Sequence, residues 1–434
     1  MSAFLQAQLC VFGVCACSNT TSKSTAAVAA CLTILSYVAT AVVSGNEAIE
    51  YASELWADMP ILLGTILLLA FFAGINLMGI SDSAAVALCI FVTHLVTLGL
   101  LILCCAVYIA QTGLDTLRDN YHAAHQPVLW RSILFGFSSA MLGVSGFESS
   151  ANFVEEQKRG VFVKTLRNMW VCVCFFNPVI ATCALCLLSQ DDIRNNQTTV
   201  LAEMGLISAG PWLQKLVSVD AFLVLSGGVL TSFVGVTGLC RRLALDRCLP
   251  QFLLAENEFR HTNHWIIIGF FAVCSSMYLL LAGNVVSLSN VYSVSFMSVM
   301  ALFALGNMLL KYKRSNLKRD VAASWPSVFA ALALVLLALA GLLAKDAGIL
   351  VVWCIYFLVT GGLMATMFYR VQTLKLLYSA SKALLGHRRP PLRAQQGHPV
   401  RARQRGLRLD PHHPRVRGRG AHPGQAAAQR AHPR

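Results

Sequence analysis

Ten apolar runs, each close to the length that a bilayer requires, constrain this chain more than any other feature of its sequence. A transmembrane helix needs about 20 consecutive, mostly apolar residues. Such runs recur throughout the chain, with only short polar segments between them. They cover approximately residues 26–44, 61–80, 84–110, 132–152, 169–188, 217–240, 265–282, 286–310, 325–343 and 348–369. The sequence therefore predicts an all-α, polytopic transmembrane helix bundle.

Composition supports the same class. The mean hydropathy is +0.62 and only 12% of the residues are charged, whereas soluble domains carry about 25% charged residues. Most of the 15 cysteines lie inside apolar runs, where they act as small hydrophobic residues. Cys183 and Cys186 have a C-x-x-C spacing but no companion pair or His ligands, so we interpret them as packing residues. We expect no metal site and no cofactor.

Three segments follow from the distribution of charge and apolar residues. Residues 1–25 hold a shorter apolar stretch, which we interpret as the possible stump of a lost helix. Residues 26–371 form the membrane domain of about ten helices. Residues 372–434 form a basic tail, and its last part, 388–434, holds twelve Arg, no Lys and one acid. We expect this tail to be disordered; it is either a spacer or misread frame, or a segment that binds anionic lipid.

Basic residues mark alternate loops between the apolar runs. The loops after the fourth, sixth and eighth runs are rich in Lys and Arg, whereas the loop after the first run is acidic. The basic residues are Lys158, Arg159, Lys164, Arg167, Arg241, Arg242, Arg247, Arg260, Lys311, Lys313, Arg314, Lys318 and Arg319. By the positive-inside rule these loops and both termini are cytoplasmic. We expect an integral protein of the plasma membrane, with Asn196 outside.

The fourth run is interrupted at its middle. It reads FGFSSAMLGVSGFESSANFVEE over residues 135–156, with Gly143, Ser145, Gly146 and Glu148 among apolar residues. A carboxylate at membrane depth is costly unless it faces a cavity or a partner, and broken helices at the midplane expose backbone to a substrate in many transporters. The alternative is a kinked helix with Glu148 at the membrane interface.

Three sequence blocks together resemble a known family. They are INLMGISDSA at 75–84, GVSGFESSANFVEE at 143–156 and GVTGLCRRLALDRCLP at 235–250. In this order and spacing they resemble the amino acid permeases of the amino acid/polyamine/organocation transporter superfamily, over residues 26–375. The resemblance implies an inverted-repeat transporter fold. It also matches the first run here to the third helix of the family, so the chain is expected to lack the first two helices.

The resemblance implies a substrate site at the break. In the family, backbone around the unwound sixth helix binds the amino and carboxylate groups of the amino acid. The matching positions here are Gly143, Val144, Ser145, Gly146 and Phe147, with Phe147 placed to cover the substrate. Glu148 is the proton-coupling candidate. Hydroxyls of Ser226, Thr231 and Ser232 either line the site or pack between helices.

Other polar residues in the apolar runs have structural alternatives. His94 either relays protons or makes a helix–helix hydrogen bond. Asn177 precedes Pro178 and is expected to satisfy backbone groups at a kink. Asp220 is expected at the membrane interface, near the outer end of its helix.

Two functions of different class remain open at this stage. The first is a secondary transporter of amino acids or related amines, with proton coupling as one option. The second is a non-transporting, truncated relative that acts as a membrane partner or sensor, or an incomplete gene model. The sequence has no P-loop, no H-E-x-x-H and no G-x-S-x-G motif, so we predict no enzymatic activity. We expect an amino acid and the lipid bilayer as partners and no nucleic acid; oligomeric state stays open.

Overall fold

The computed structural model describes residues 23–56, 59–79, 84–123, 129–144, 146–147, 150, 157–158, 160–258, 260–313, 324–345 and 348–386. Within these ranges every regular element is helical and no strand occurs. The prediction of an all-α, polytopic bundle is confirmed. The chain divides into two units, Met1–Leu374 and Lys375–Arg434. The second unit is described only as far as Gly386, where it is helical.

The described residues form thirteen α-helices and two short 3-10 turns. The α-helices are α1 (Lys23–Ser53), α2 (Ile61–Leu77), α3 (Ala84–Thr112), α4 (Asp115–Ala123), α5 (Leu129–Ala140), α6 (Val161–Leu187), α7 (Gln190–Asn195), α8 (Val200–Ala209), α9 (Pro211–Leu245), α10 (His264–Leu280), α11 (Val285–Lys313), α12 (Trp325–Lys345) and α13 (Ile349–Gly386). The 3-10 turns span Met141–Val144 and Gln251–Leu254.

Each of the ten apolar runs overlaps one of these helices. Six helices among the described residues are long and apolar enough to cross a membrane, and they are α1, α3, α6, α9, α11 and α12. Shorter apolar stretches lie in α2, α8, α10 and α13. The sequence did not predict α4, α7 or α8, because helices of six to ten residues are too short to show a periodic pattern.

The centre of the first unit is the contact between α1 and α9. Lipid tails are as apolar as the helix surfaces, so helices in a membrane associate through close packing of small residues. A Cβ atom on Gly235 of α9 would lie only 2.6 Å from the ring of Tyr37 on α1. Likewise, a Cβ on Gly228 would lie 3.1 Å from the hydroxyl oxygen of Ser44. Glycine at these two positions lets the backbones approach.

A buried polar contact joins α1 to α10. The hydroxyl of Tyr278 donates a hydrogen bond of 2.8 Å to Asn46 Oδ1. The amide nitrogen of Asn46 donates in turn to Glu50 Oε1, one helical turn away, at 2.8 Å. Asn46 and Tyr278 are each at most 1% exposed. Since buried polar groups need partners, this chain of bonds fixes how α1 and α10 face each other.

A second apolar cluster lies where α3, α6 and α9 meet. It contains Leu101 and Cys105 from α3, Cys183 from α6, and Leu213 and Val217 from α9. Cys186 belongs to the same cluster. Both cysteines of the C-x-x-C spacing are thus buried among apolar side chains, in agreement with the packing interpretation.

Candidate substrate site

The helix break lies directly after α5. Regular α-helix ends at Ala140 and a 3-10 turn continues from Met141 to Val144. Gly146 then has a φ of +96°, a backbone conformation that side chains with a Cβ atom rarely adopt. The prediction that the glycines interrupt this run is therefore matched by the backbone.

Asn177 of α6 reaches across to the break. Its amide nitrogen donates a hydrogen bond of 3.0 Å to the carbonyl oxygen of Gly143. A Cβ atom on Gly143 would lie 2.8 Å from the same nitrogen. Pro178 lies inside α6, which continues past it, and a kink there stays a prediction. The Asn177 amide joins α6 to the break.

Phe147 lies inside the apolar core. Its side chain is 3% exposed and belongs to one cluster with Met141, Phe162 and Leu166. The same cluster includes Val229 of α9. The expected role of Phe147 in covering a bound substrate stays a prediction.

Several predicted site residues lie outside the described residues. They include Ser145 and Glu148, together with the acidic pair Glu155 and Glu156. For Val144 the structure describes the backbone alone. Among the predicted backbone positions, the structure therefore describes Gly143, Gly146 and Phe147 in full.

The three candidate hydroxyls on α9 have different environments. Ser232 is 1% exposed and donates to the carbonyl oxygen of Gly228 at 2.9 Å. Thr231 is exposed and donates to the same oxygen at 3.0 Å. Ser226 is 7% exposed, and its hydroxyl oxygen has no hydrogen-bond partner. The hydroxyls of Thr231 and Ser232 thus bond the backbone of their own helix. Among the three, only the Ser226 hydroxyl has no partner.

The structure also shows a polar contact that the sequence did not indicate. His94 Nδ1 on α3 lies 2.7 Å from Asp220 Oδ2 on α9. The prediction of a helix–helix hydrogen bond for His94 agrees with this contact. Asp220 is 5% exposed and lies nine residues after the start of α9, and its expected position at the membrane interface stays a prediction. A single acid in one apolar run gives no sign of its partner 126 residues away.

Comparison with known protein families identifies the class of this protein. The family described as amino acid permease matches residues 10–369, which is most of the chain. The chain belongs to the amino acid permease family. It is therefore an integral membrane protein and a transporter of amino acids in general. A search of curated proteins found no match.

Proposed function

We propose that this permease is a secondary transporter that binds its amino acid at the break between α5 and α6. The observation that carries the proposal is the run from Gly143 to Gly146, where helical hydrogen bonding stops inside an apolar run. A free amino acid presents an ammonium group and a carboxylate, and both need polar partners when they leave water. Backbone groups at a helix break can provide such partners at membrane depth.

The end of α5 favours the ammonium group of the substrate. The carbonyl groups of the last helical turn carry partial negative charge. α5 ends at Ala140, and its position is fixed from outside the site by α12. There Gly341 lies so close to the hydroxyl of Ser138 that any side chain at position 341 would overlap it. The break thus follows a firmly packed helix, which is what a precise binding site requires.

The remaining residues of the proposed site extend this arrangement. Gly143, Val144, Ser145, Gly146 and Phe147 form the backbone part, and Ser226, Thr231 and Ser232 are the candidate side-chain hydroxyls. Ser226 is favoured among the three, because its buried hydroxyl lacks a partner. Glu148 is the acid closest in sequence to the break, and we propose it as one candidate carrier of a coupling proton.

The proposed membrane is the plasma membrane, with both termini and the basic loops in the cytoplasm. Lys158, Arg167, Arg241 and Lys311 lie on the side that this orientation makes cytoplasmic. We also propose that residues 372–434 form a separate cytoplasmic tail. An impermeant thiol reagent tests the orientation in intact cells. Strong labelling of a cysteine placed at position 158 contradicts it.

Counterflow in proteoliposomes tests the proposed function. Vesicles that contain purified permease are loaded with one unlabelled amino acid and given the same amino acid in radiolabelled form outside. Alanine, leucine, lysine and glutamate cover small, apolar, cationic and anionic substrates. We expect transient accumulation of at least one probe. No counterflow of any probe by a correctly folded protein would contradict transport and favour a partner or sensor role.

The variant Gly146→Ala tests the position of the site. Alanine at a φ of +96° strains the backbone at the break, so we expect counterflow to be lost while the protein still inserts. The matched control is Gly136→Ala on α5, where no atom lies within 4 Å of the added Cβ. Equal counterflow by both variants would place the site elsewhere.

A further inference from the structure

The His94–Asp220 pair joins two candidate membrane-spanning helices. His94 lies in the candidate span Ala85–Thr112 and Asp220 in the candidate span Pro211–Leu245. The side chains are 25% and 6% exposed, and Nδ1 and Oδ2 are 2.7 Å apart. Ionisable residues inside membrane helices are rare and costly, and they mark ion or proton pathways more often than structural contacts. This pair therefore calls for a functional explanation.

The surroundings of the pair differ on its two sides. Toward the end of α3 and the start of α9, Leu101 and Cys105 pack against Leu213 and Val217 in an apolar cluster. In the opposite direction along α9, Gly227 stands seven residues after Asp220, on the same helix face. No atom lies within 4 Å of a Cβ built on Gly227. Apolar side chains thus close one side of the pair, and on the other side α9 has open space beside Gly227, two helical turns from Asp220.

Acidic groups dominate the neighbouring helices at this level. Tyr51 of α1 packs in one cluster with Ala221, the residue that follows Asp220. Glu47 lies near enough to Tyr51 to interact with it electrostatically. α2 contributes no titratable side chain along its length. Titratable groups on the packed helices include Glu47, Glu50 and Tyr51 of α1, Glu203 of α8, Tyr278 of α10 and Cys183 of α6, and Lys215 of α9 is exposed.

One proton shared between His94 and Asp220 makes the pair neutral. Removing that proton leaves a net negative charge between two helices, which is less favourable there than in water. When the two helices separate and water enters, the charged form is solvated and the proton can leave. Proton occupancy is in this way linked to the position of α3 against α9.

We propose that the His94–Asp220 pair is the site that binds the coupling proton, and that it loads and unloads this proton as the contact between α3 and α9 opens. In each cycle one proton from water on one side binds to the pair at Nδ1 or Oδ2. The same proton leaves to water on the other side, and no other bond changes. The inference rests on the proposed function, and it places coupling at a site distinct from Glu148.

Proton-driven uptake and counterflow separate this inference from the proposed function. Counterflow exchanges amino acid for amino acid and needs no net proton movement, whereas accumulation driven by a pH gradient does. Both are measured in proteoliposomes with alanine, leucine, lysine and glutamate as probes, and a pH-sensitive dye inside reports proton entry. We expect the wild-type protein to show counterflow, and a pH gradient to drive accumulation together with internal acidification.

The variant Asp220→Asn removes the carboxylate but keeps an oxygen that accepts a hydrogen bond from His94. We expect it to retain counterflow and lose both gradient-driven accumulation and acidification. The double variant His94→Asn with Asp220→Asn contains no lone charge and is expected to behave in the same way. Asp191→Asn is the control, because that acid is 88% exposed in an i,i+3 surface pair. It should match the wild-type protein.

Several outcomes overturn the inference. Wild-type counterflow without any response to a pH gradient excludes a coupling proton. Full gradient-driven uptake by Asp220→Asn would show that the pair does not carry the coupling proton. Loss of gradient-driven uptake in Glu148→Gln alone would assign coupling to Glu148. Parallel loss of counterflow and coupling in both pair variants would indicate a structural contact only. Absence of wild-type counterflow contradicts the proposed function itself, and this inference with it.

Discussion

The α1–α9 contact and the helix break after α5 both depend on glycine, but for opposite physical reasons. At Gly235 the obstacle to a side chain is another side chain, because an added Cβ would lie 2.6 Å from the Tyr37 ring. At Gly146 the nearest atom to an added Cβ is Met169 Cε at 3.7 Å, which is ordinary contact. There the obstacle is the backbone, whose φ is +96°.

This difference teaches that one residue type can carry stability in one region and function in another. Gly235 allows two membrane helices to pack, which is the main source of cohesion in a bilayer. Gly146 allows the chain to leave helical geometry where a substrate needs backbone groups. Mutations at the two positions should therefore separate protein stability from transport.

The largest effect is expected from Gly235→Ala. The added methyl group overlaps the Tyr37 ring, and overpacking of this kind costs about 1–3 kcal/mol. We expect a marked fall in thermal stability in detergent and in the yield of inserted protein. Thermal unfolding followed by size-exclusion chromatography measures the change.

A compensating variant checks the cause at this contact. In a Tyr37→Ala background the ring that the methyl group would strike is absent, so Gly235→Ala should cost less stability there than in the wild-type protein. If Gly235→Ala costs as much in that background, the crowding at this contact is not what limits stability.

A smaller loss of stability, but a larger loss of transport, is expected from Gly146→Ala. A left-handed backbone conformation costs a residue with a Cβ about 1–2 kcal/mol. The strain falls on the break, so counterflow should be lost while the protein still elutes as a folded species. If Gly146→Ala were as unstable as Gly235→Ala but kept its specific transport activity, Gly146 would serve stability and not transport.

The sequence was sufficient for the helices that the ten apolar runs form and for the existence of the break. The run at 84–110 became α3 over Ala84–Thr112, because length and hydropathy decide whether a segment crosses a membrane. The glycines at 143 and 146 indicated the break, because no other residue tolerates its backbone so well. Segment length, hydropathy and glycine content are properties of the local sequence, so the sequence alone is enough to predict their effects.

The sequence was not sufficient for contacts between helices. Tyr37 meets Gly235, Asn177 bonds to Gly143, and His94 pairs with Asp220. Each contact depends on which helices are neighbours and how they are rotated, and helices that are apolar on most faces give no periodic signal for either. Asp220 shows the consequence, since its burial follows from α3 and not from its own helix.

A moderate effect is expected from Asn177→Ala. The substitution removes the hydrogen bond to Gly143, whose net contribution is about 1 kcal/mol. The break should become less ordered, and we expect the KM for the transported probe to rise several-fold more than the maximal rate falls. Initial rates across a substrate series give both quantities. Asn177→Gln carries the same amide on a longer chain and should recover part of the affinity.

The smallest effect is expected at glycines that have neither a close side chain nor a positive φ. Gly136 on α5 and Gly99 on α3 are helical, and no atom lies within 4 Å of a Cβ built on either. Alanine is a better helix former than glycine by about 1 kcal/mol, and inside a bilayer its methyl group meets lipid or an apolar neighbour. Gly136→Ala and Gly99→Ala should therefore leave counterflow unchanged and leave thermal stability equal or slightly higher. A marked loss from either would mean that space or backbone freedom is used at that position during transport, in a state where the helices are arranged differently from this one.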